Sequence, residues 1–106
     1  MEPRKIAFKM KLIPGFEEEY EERHRKIWPE LVHLLRESGI LEYSIFLDKE
    51  SSTLFAIQTV MGKKSSQSLG ENVIVKKWWA YMADIMETHP DHSPISSPLQ
   101  EVFTLK

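Results

Sequence analysis

Residues 41–61 read LEYSIFLDKESSTLFAIQTVM, and the order of side chains in this stretch decides the fold. Leu41, Tyr43, Ile45 and Leu47 alternate with Glu42, Ser44, Phe46 and Asp48, which is the period of a strand with two distinct faces. TLFAIQTVM is a second β-rich run, and the polar turn Lys49–Ser52 joins the two into a predicted antiparallel hairpin. Apolar residues fall on both faces of the first strand, because Phe46 stands opposite Tyr43 and Ile45. One face is therefore expected under helices and the other buried by a second copy of the chain.

Toward the N-terminus, Ile6, Phe8, Met10 and Leu12 alternate with Lys5, Ala7, Lys9 and Lys11, a half-buried strand with a basic outer face. Pro14-Gly15 breaks it, and a charged helix is predicted from about residue 16 to Trp28, since the residue before Pro29 is pushed out of the α region. Pro29 suits the first turn of a second helix, PELVHLLRESG, closed by Gly39. Toward the C-terminus, Gly62 to Gly70 is polar and Ser-rich, a loop or a weak helix. From about Asn72 to Thr88 the pattern is helical, with Val75, Trp78, Met82, Ile85 and Met86 on one broad face. An extended Pro-rich segment, HPDHSPISSPLQ, then leads into a last predicted strand, LQEVFTLK. The order β-α-(α)-β-β-α-β matches the ferredoxin-like split βαβ pattern: an α+β sandwich, with an antiparallel sheet and helices on one face. No repeat or linker interrupts it, so residues 1–106 read as a single domain.

Composition narrows the function. The chain is 42% hydrophobic and 28% charged, with net charge -2 and basic and acidic residues interleaved. That excludes the concentrated basic face that nucleic acid requires; Lys76-Lys77 is too small a patch. With no cysteine, disulfides, thiolate nucleophiles and zinc–cysteine sites are absent. No run approaches the roughly 20 apolar residues of a membrane span. The charged start MEPRKIAFKMKL has no signal-peptide core, so a cytoplasmic location is expected.

Phe16, Tyr20, His24 and Trp28 recur every four residues, one face of a helix whose remaining positions carry charges. The Tyr–His stripe therefore points inward, where an imidazole is either satisfied by a partner or lines a cavity. Imidazole titrates near neutrality, so His24 is the candidate for moving a proton to and from a neutral substrate. Adjacent indoles at Trp78-Trp79 diverge by about 100° on a helix. One is expected in the core and the other toward a cavity or partner, unless both are core residues. An indole face suits the C–H face of a sugar ring, and Tyr43, taken to lie on the central strand, adds a hydroxyl. His89 and His92 flank Pro90-Asp91, but the spacing fits no standard zinc pattern. His33 reads as structural, and Met61, Met82 and Met86 as core gap-fillers. No phosphate loop or nucleophile-serine motif is present.

EEYEERHRKIWPEL, YSIFLDKESSTLFA, KKWWAYMADIM and PDHSPISSPLQEVF, in this order and spacing, resemble the L-rhamnose mutarotase family over the whole chain. The resemblance implies a cytoplasmic homodimer of the dimeric α/β-barrel type that interconverts the α and β anomers of L-rhamnose without metal or organic cofactor. It places the proton-donor histidine at His24 and the sugar-binding positions at Tyr20, Tyr43, Trp78 and Trp79. Two departures stand out. Met61–Glu71 is Ser/Gly/Lys-rich where relatives carry a charged helix, and His89 and His92 replace the asparagines common there. On this basis His24 is expected to donate to the ring oxygen and Tyr20 to position the sugar hydroxyls. The base at the anomeric hydroxyl is left open between water and His24 acting twice. Two other readings fit the same architecture: a small monooxygenase acting on quinols or haem, or a non-catalytic ligand-binding module in which the aromatic residues only pack.

Overall fold

Alternation in the N-terminal segment builds the strand that anchors the sheet. The structure, a computed structural model, describes residues 2–106. β1 (Arg4–Lys11) turns Phe8 and Met10 into the core and leaves Lys5, Lys9 and Lys11 outside. α1 (Glu17–Arg25) and α2 (Pro29–Glu37) follow, then the hairpin β2 (Ile40–Asp48) and β3 (Thr53–Val60), α3 (Val73–Met82) and β4 (Ser96–Leu99). The sheet order is β2-β3-β1-β4, antiparallel throughout. This is the ferredoxin-like arrangement, with the helices on one face.

The hairpin forms where expected. Asp48 pairs with Thr53, and the Asp48 carboxylate accepts hydrogen bonds from Ser51 Oγ and the Glu50 N–H, which close the turn. Gly39 ends α2 at φ +98, where an added Cβ would lie 2.3 Å from the Met61 carbonyl oxygen, so only glycine fits. Asn72 caps α3 by accepting from the Ile74 N–H at 2.8 Å. The core joins Phe8, Met10 and Leu12 to Leu31, Leu54, Ala56, Val60, Val75 and Ile85.

Several expectations are corrected. α1 ends at Arg25, and Trp28 stands outside it as the extended N-cap of α2, so the four-residue stripe shrinks to Tyr20 and His24. A bulge between Ile40 and Glu42 shifts the register, so Ile40 is buried and Leu41 is exposed. β2 is an edge strand, so Tyr43 is not central. Gly62 to Gly70 contains one short 3-10 turn, Ser66–Ser68. α3 stops at Met82; a 3-10 turn, Ala83–Ile85, follows, and Met86 is extended where it bridges to Leu12. The last strand is Ser96–Leu99, upstream of the expected LQEVFTLK, because pairing with β1 selects that segment; Pro98 is tolerated in an edge strand. Residues 100–106 form no strand, and Val102, Phe103 and Leu105 are exposed. Met61 is exposed too, while Met82 and Met86 are buried. His33 lies on the helix surface, paired with Glu37 at 2.8 Å.

Candidate functional site

Between α1, α3 and the hairpin lies a cavity of about 750 Å³. Tyr20, His24, Tyr43, Trp78, Trp79 and Ser66 line part of its wall. All five residues singled out from the sequence therefore meet at one hollow, whose volume falls in the range of small-molecule sites.

α1 supplies the imidazole. Tyr20 and His24 are one helical turn apart, with ring centroids 4.4 Å from each other. His24 Nδ1 lies 3.1 Å from the Tyr20 backbone carbonyl. A carbonyl oxygen can only accept, so Nδ1 carries the proton and the neutral ring keeps its lone pair on Nε2. Burial holds the His24 pKa below its ordinary value, only partly offset by that hydrogen bond, so the ring is neutral at pH 7. Among the described residues, Nε2 and the Tyr20 hydroxyl have no hydrogen-bond partner, yet no buried side-chain nitrogen or oxygen lacks one. Both atoms therefore reach accessible surface.

The two tyrosines stay protonated. Burial drives the Tyr20 phenol far above its usual range, and Tyr43 adds to the shift. Burial raises Tyr43 as well, with neighbouring Ser66 and Gln58 acting the other way. Among Tyr20, His24 and Tyr43, only the imidazole can exchange a proton near neutrality; the phenols can donate and accept hydrogen bonds without ionising.

The tryptophans differ in setting. Trp78 is buried and meets His24 at 5.4 Å and Trp28 at 5.1 Å edge-on, and Tyr81 at 5.6 Å in a tilted arrangement. Trp79 is half-buried and packs over Gly70, where an added Cβ would come within 2.8 Å of its ring. Both line the cavity.

Several residues around the site carried little or no sequence signal. Arg23, beside His24, donates to Glu19 at 2.7 Å, to Asp84 at 2.9 and 3.2 Å and to the Tyr81 carbonyl at 2.7 Å, and its guanidinium lies over the Tyr81 ring. This latch ties α1 to the end of α3. The Arg23 guanidinium also holds the Asp84 carboxyl below the usual carboxylate range. Gln58 is wholly buried on β3 and bonded to Ser66 at both ends of its amide. Leaving either end unpaired would cost about 1–3 kcal/mol. Only the burial of a polar residue within an alternating strand hinted at Gln58; nothing local marked Arg23 or Tyr81. Asp91, between the two loop histidines, turns inward on its own loop and accepts from Ser93. No three His, Asp or Glu side chains gather as a metal site among the described residues.

A ferredoxin-like sandwich holding a neutral imidazole among aromatic rings and phenols defines an α+β protein with a small-molecule site of acid–base character. The family model described as L-rhamnose mutarotase matches residues 5–105. The L-rhamnose mutarotase of Formosa agariphila is 56% identical over 102 residues, 96% of this chain and 98% of that protein. That of Bacteroides thetaiotaomicron is 58% identical over 100 residues, 94% of this chain and 96% of that protein. A crystal structure of L-rhamnose mutarotase from Formosa agariphila superposes with a TM-score of 0.90 at 53% identity, covering 97% of this chain and 99% of that one. A solved structure from Pseudomonas aeruginosa, 15% identical with a TM-score of 0.58 over 97% of each chain, shares the fold alone. The chain belongs to the L-rhamnose mutarotase family.

Proposed function

We infer that this protein is an isomerase that interconverts the α and β anomers of L-rhamnose by opening and reclosing the pyranose ring. Family membership supports the substrate and the reaction. The observation that carries the chemistry is the state of His24: neutral, Nδ1 committed to the Tyr20 carbonyl, Nε2 unpaired among the described residues, and the residue part of the wall of a cavity of monosaccharide size.

This state supports one of the two choices the sequence left open for the base at the anomeric hydroxyl, His24 acting twice. The resting Nε2 has a lone pair and no proton, so His24 begins as a base and not as a donor to the ring oxygen. Nε2 takes the proton of the anomeric hydroxyl as the electron pair of that O–H bond forms the C1=O double bond. The C1–O5 bond breaks, and its electron pair goes to O5, which receives a proton from the imidazolium. The product is the open aldehyde and a neutral imidazole. Rotation about C1–C2 presents the other carbonyl face, and the same steps in reverse close the ring. One acid–base group of this kind contributes about 10²–10⁴ in rate. The transfers need no charge left on the sugar. Tyr20 and Tyr43 offer hydroxyls to the sugar, and Trp78 and Trp79 offer apolar ring faces. Saturation-transfer NMR on L-rhamnose tests the activity: exchange between anomers above the buffer rate supports it, and exchange at the buffer rate refutes it.

The protein works as a homodimer of a single domain, in the cytoplasm. Support for the dimer comes from the sheet face opposite the helices. Phe46 pairs with Phe55 there, and Ala7 stands between Ile57 and Leu99. Phe46 is 60% exposed, and the apolar tail residues Val102, Phe103 and Leu105 extend beyond β4. Sedimentation equilibrium should give twice the chain mass; the mass of one chain at micromolar concentration would contradict the dimer. No helix is long and apolar enough to cross a membrane among the described residues.

A further inference from the structure

One polar cluster behind the cavity wall takes no part in the proton transfers. Gln58 sits near the middle of the sheet on β3, wholly shielded from solvent, with Ala56 and Val60 buried on either side of it along the strand. Its Nε2 donates to Ser66 Oγ at 2.6 Å, and its Oε1 accepts from the Ser66 backbone N–H at 3.3 Å. Ser66 begins the 3-10 turn that Ser65 caps by accepting from the Gln67 N–H. Ser66 and Gln67 both line the cavity. Directly across the ladder from Gln58 stands Tyr43. Four residues beyond Ser66, the Gly70 backbone supports the ring of Trp79. One buried amide thus connects three parts of the wall: the Tyr43 strand, the Ser66–Gln67 turn and the platform under Trp79.

An apolar side chain would fill the same place in the sheet without desolvating an amide. What it could not do is hold the polar segment between Gly62 and Gly70 in one position. Between residues 61 and 71 only Ser66 and Leu69 are buried, so hydrophobic anchoring of this stretch is slight. The amide's two hydrogen bonds supply what the segment lacks.

We propose that Gln58 and Ser66 are positioning residues that lock the Tyr43 phenol and the 65–70 wall in the shape that receives the sugar ring. The proposal rests on reading the cavity as a monosaccharide site. It places substrate affinity, more than the proton transfers at His24, under the control of this pair.

The test combines anomer exchange measured over a range of L-rhamnose concentrations with amide hydrogen exchange of residues 65–70, on the wild type and on Ser66→Ala, Gln58→Leu and Ser66→Thr. Ser66→Ala and Gln58→Leu should raise KM about tenfold, lower kcat less than about threefold, and speed exchange of the 65–70 amides about tenfold or more. Ser66→Thr keeps the hydroxyl and should bring KM and amide exchange back to within about threefold of wild type. An unchanged KM in Ser66→Ala overturns the proposal, as does a loss of kcat at constant KM. Looser amides with no effect on KM would make the pair scaffold alone, which also overturns it. If the wild type shows no anomer exchange, the mutarotase reading fails instead; the amides then decide the positioning claim, and unchanged protection in Ser66→Ala overturns it.

Discussion

The helix-covered face of the sheet has two halves built on opposite terms. Under α3 and its 3-10 turn, Leu12, Val60 and Ile85 are 0–1% exposed and belong to a closed apolar core. Beside α1 the same face opens into the cavity, whose wall carries phenols, indoles and the imidazoles of His24 and His92. Close packing earns stability where nothing has to enter. The open half gives up those contacts and keeps a space in which polar atoms remain unpaired. Stability and chemistry are thus located in different residues of one small sheet, and substitutions can separate them.

His24→Ala tests the open half most severely. Catalysed anomer exchange should fall by about 10²–10⁴, while far-UV circular dichroism and the urea midpoint stay near wild type, because the ring is not part of the closed core. Full exchange in that variant would break the comparison. Ile85→Ala does the reverse. Loss of a side chain at 0% exposure should cost about 2–5 kcal/mol in urea unfolding, with exchange per folded molecule kept within about twofold. A matching loss of activity would show that the halves are not separable. Asp84→Asn sharpens the boundary between them, since Arg23 latches α1 to the end of α3 across it. The Asp84 side chain is 67% exposed, so solvent screens the pair and the expected loss is about 0.2–1 kcal/mol, shrinking as salt is added. A loss that does not respond to salt would assign the latch to packing of Arg23 on Tyr81.

Much of the helix-covered face was legible in the sequence because its signals are local. Ile6, Phe8, Met10 and Leu12 carry a period of two over one strand, and Val75, Trp78, Met82 and Ile85 carry the helical period. Tyr20 and His24 were readable for the same reason, being one turn apart on a helix otherwise covered with charge. What escaped was set by pairing across the chain. The bulge that buries Ile40 and exposes Leu41 depends on β3, and the choice of Ser96–Leu99 over the more strand-like LQEVFTLK depends on β1. Trp28 left the helix earlier than its spacing suggested, yet it still meets Trp78 through space. Arg23 and Tyr81 were invisible because the latch joins residues up to 61 apart in sequence. The Gln58–Ser66 pair was obscure because it depends on how the loop of residues 62–70 folds back onto β3. The proton's position on His24 was equally out of reach, since it follows from a hydrogen bond and from burial. That detail makes His24 the base as well as the acid, a choice the sequence left open.

Burial also links the site to folding. Between the lowered His24 pKa of the folded protein and the ordinary value of 6.5, the unfolded chain binds more protons. Stability therefore rises with pH across that window and is lost as the solution is acidified through it. Catalysis by a resting base follows the same direction, because protonating Nε2 removes the lone pair.

The most direct measurement is the pH dependence of L-rhamnose anomer exchange, taken alongside nitrogen-15 NMR titration of the His24 ring in the folded enzyme. A neutral ring protonated at Nδ1 is expected. Its titration midpoint should lie below 6.5 and coincide with the midpoint at which exchange falls, by about tenfold per pH unit on the acid side. A ring protonated at Nε2 at neutral pH, or exchange that continues undiminished while His24 becomes charged, would contradict the account.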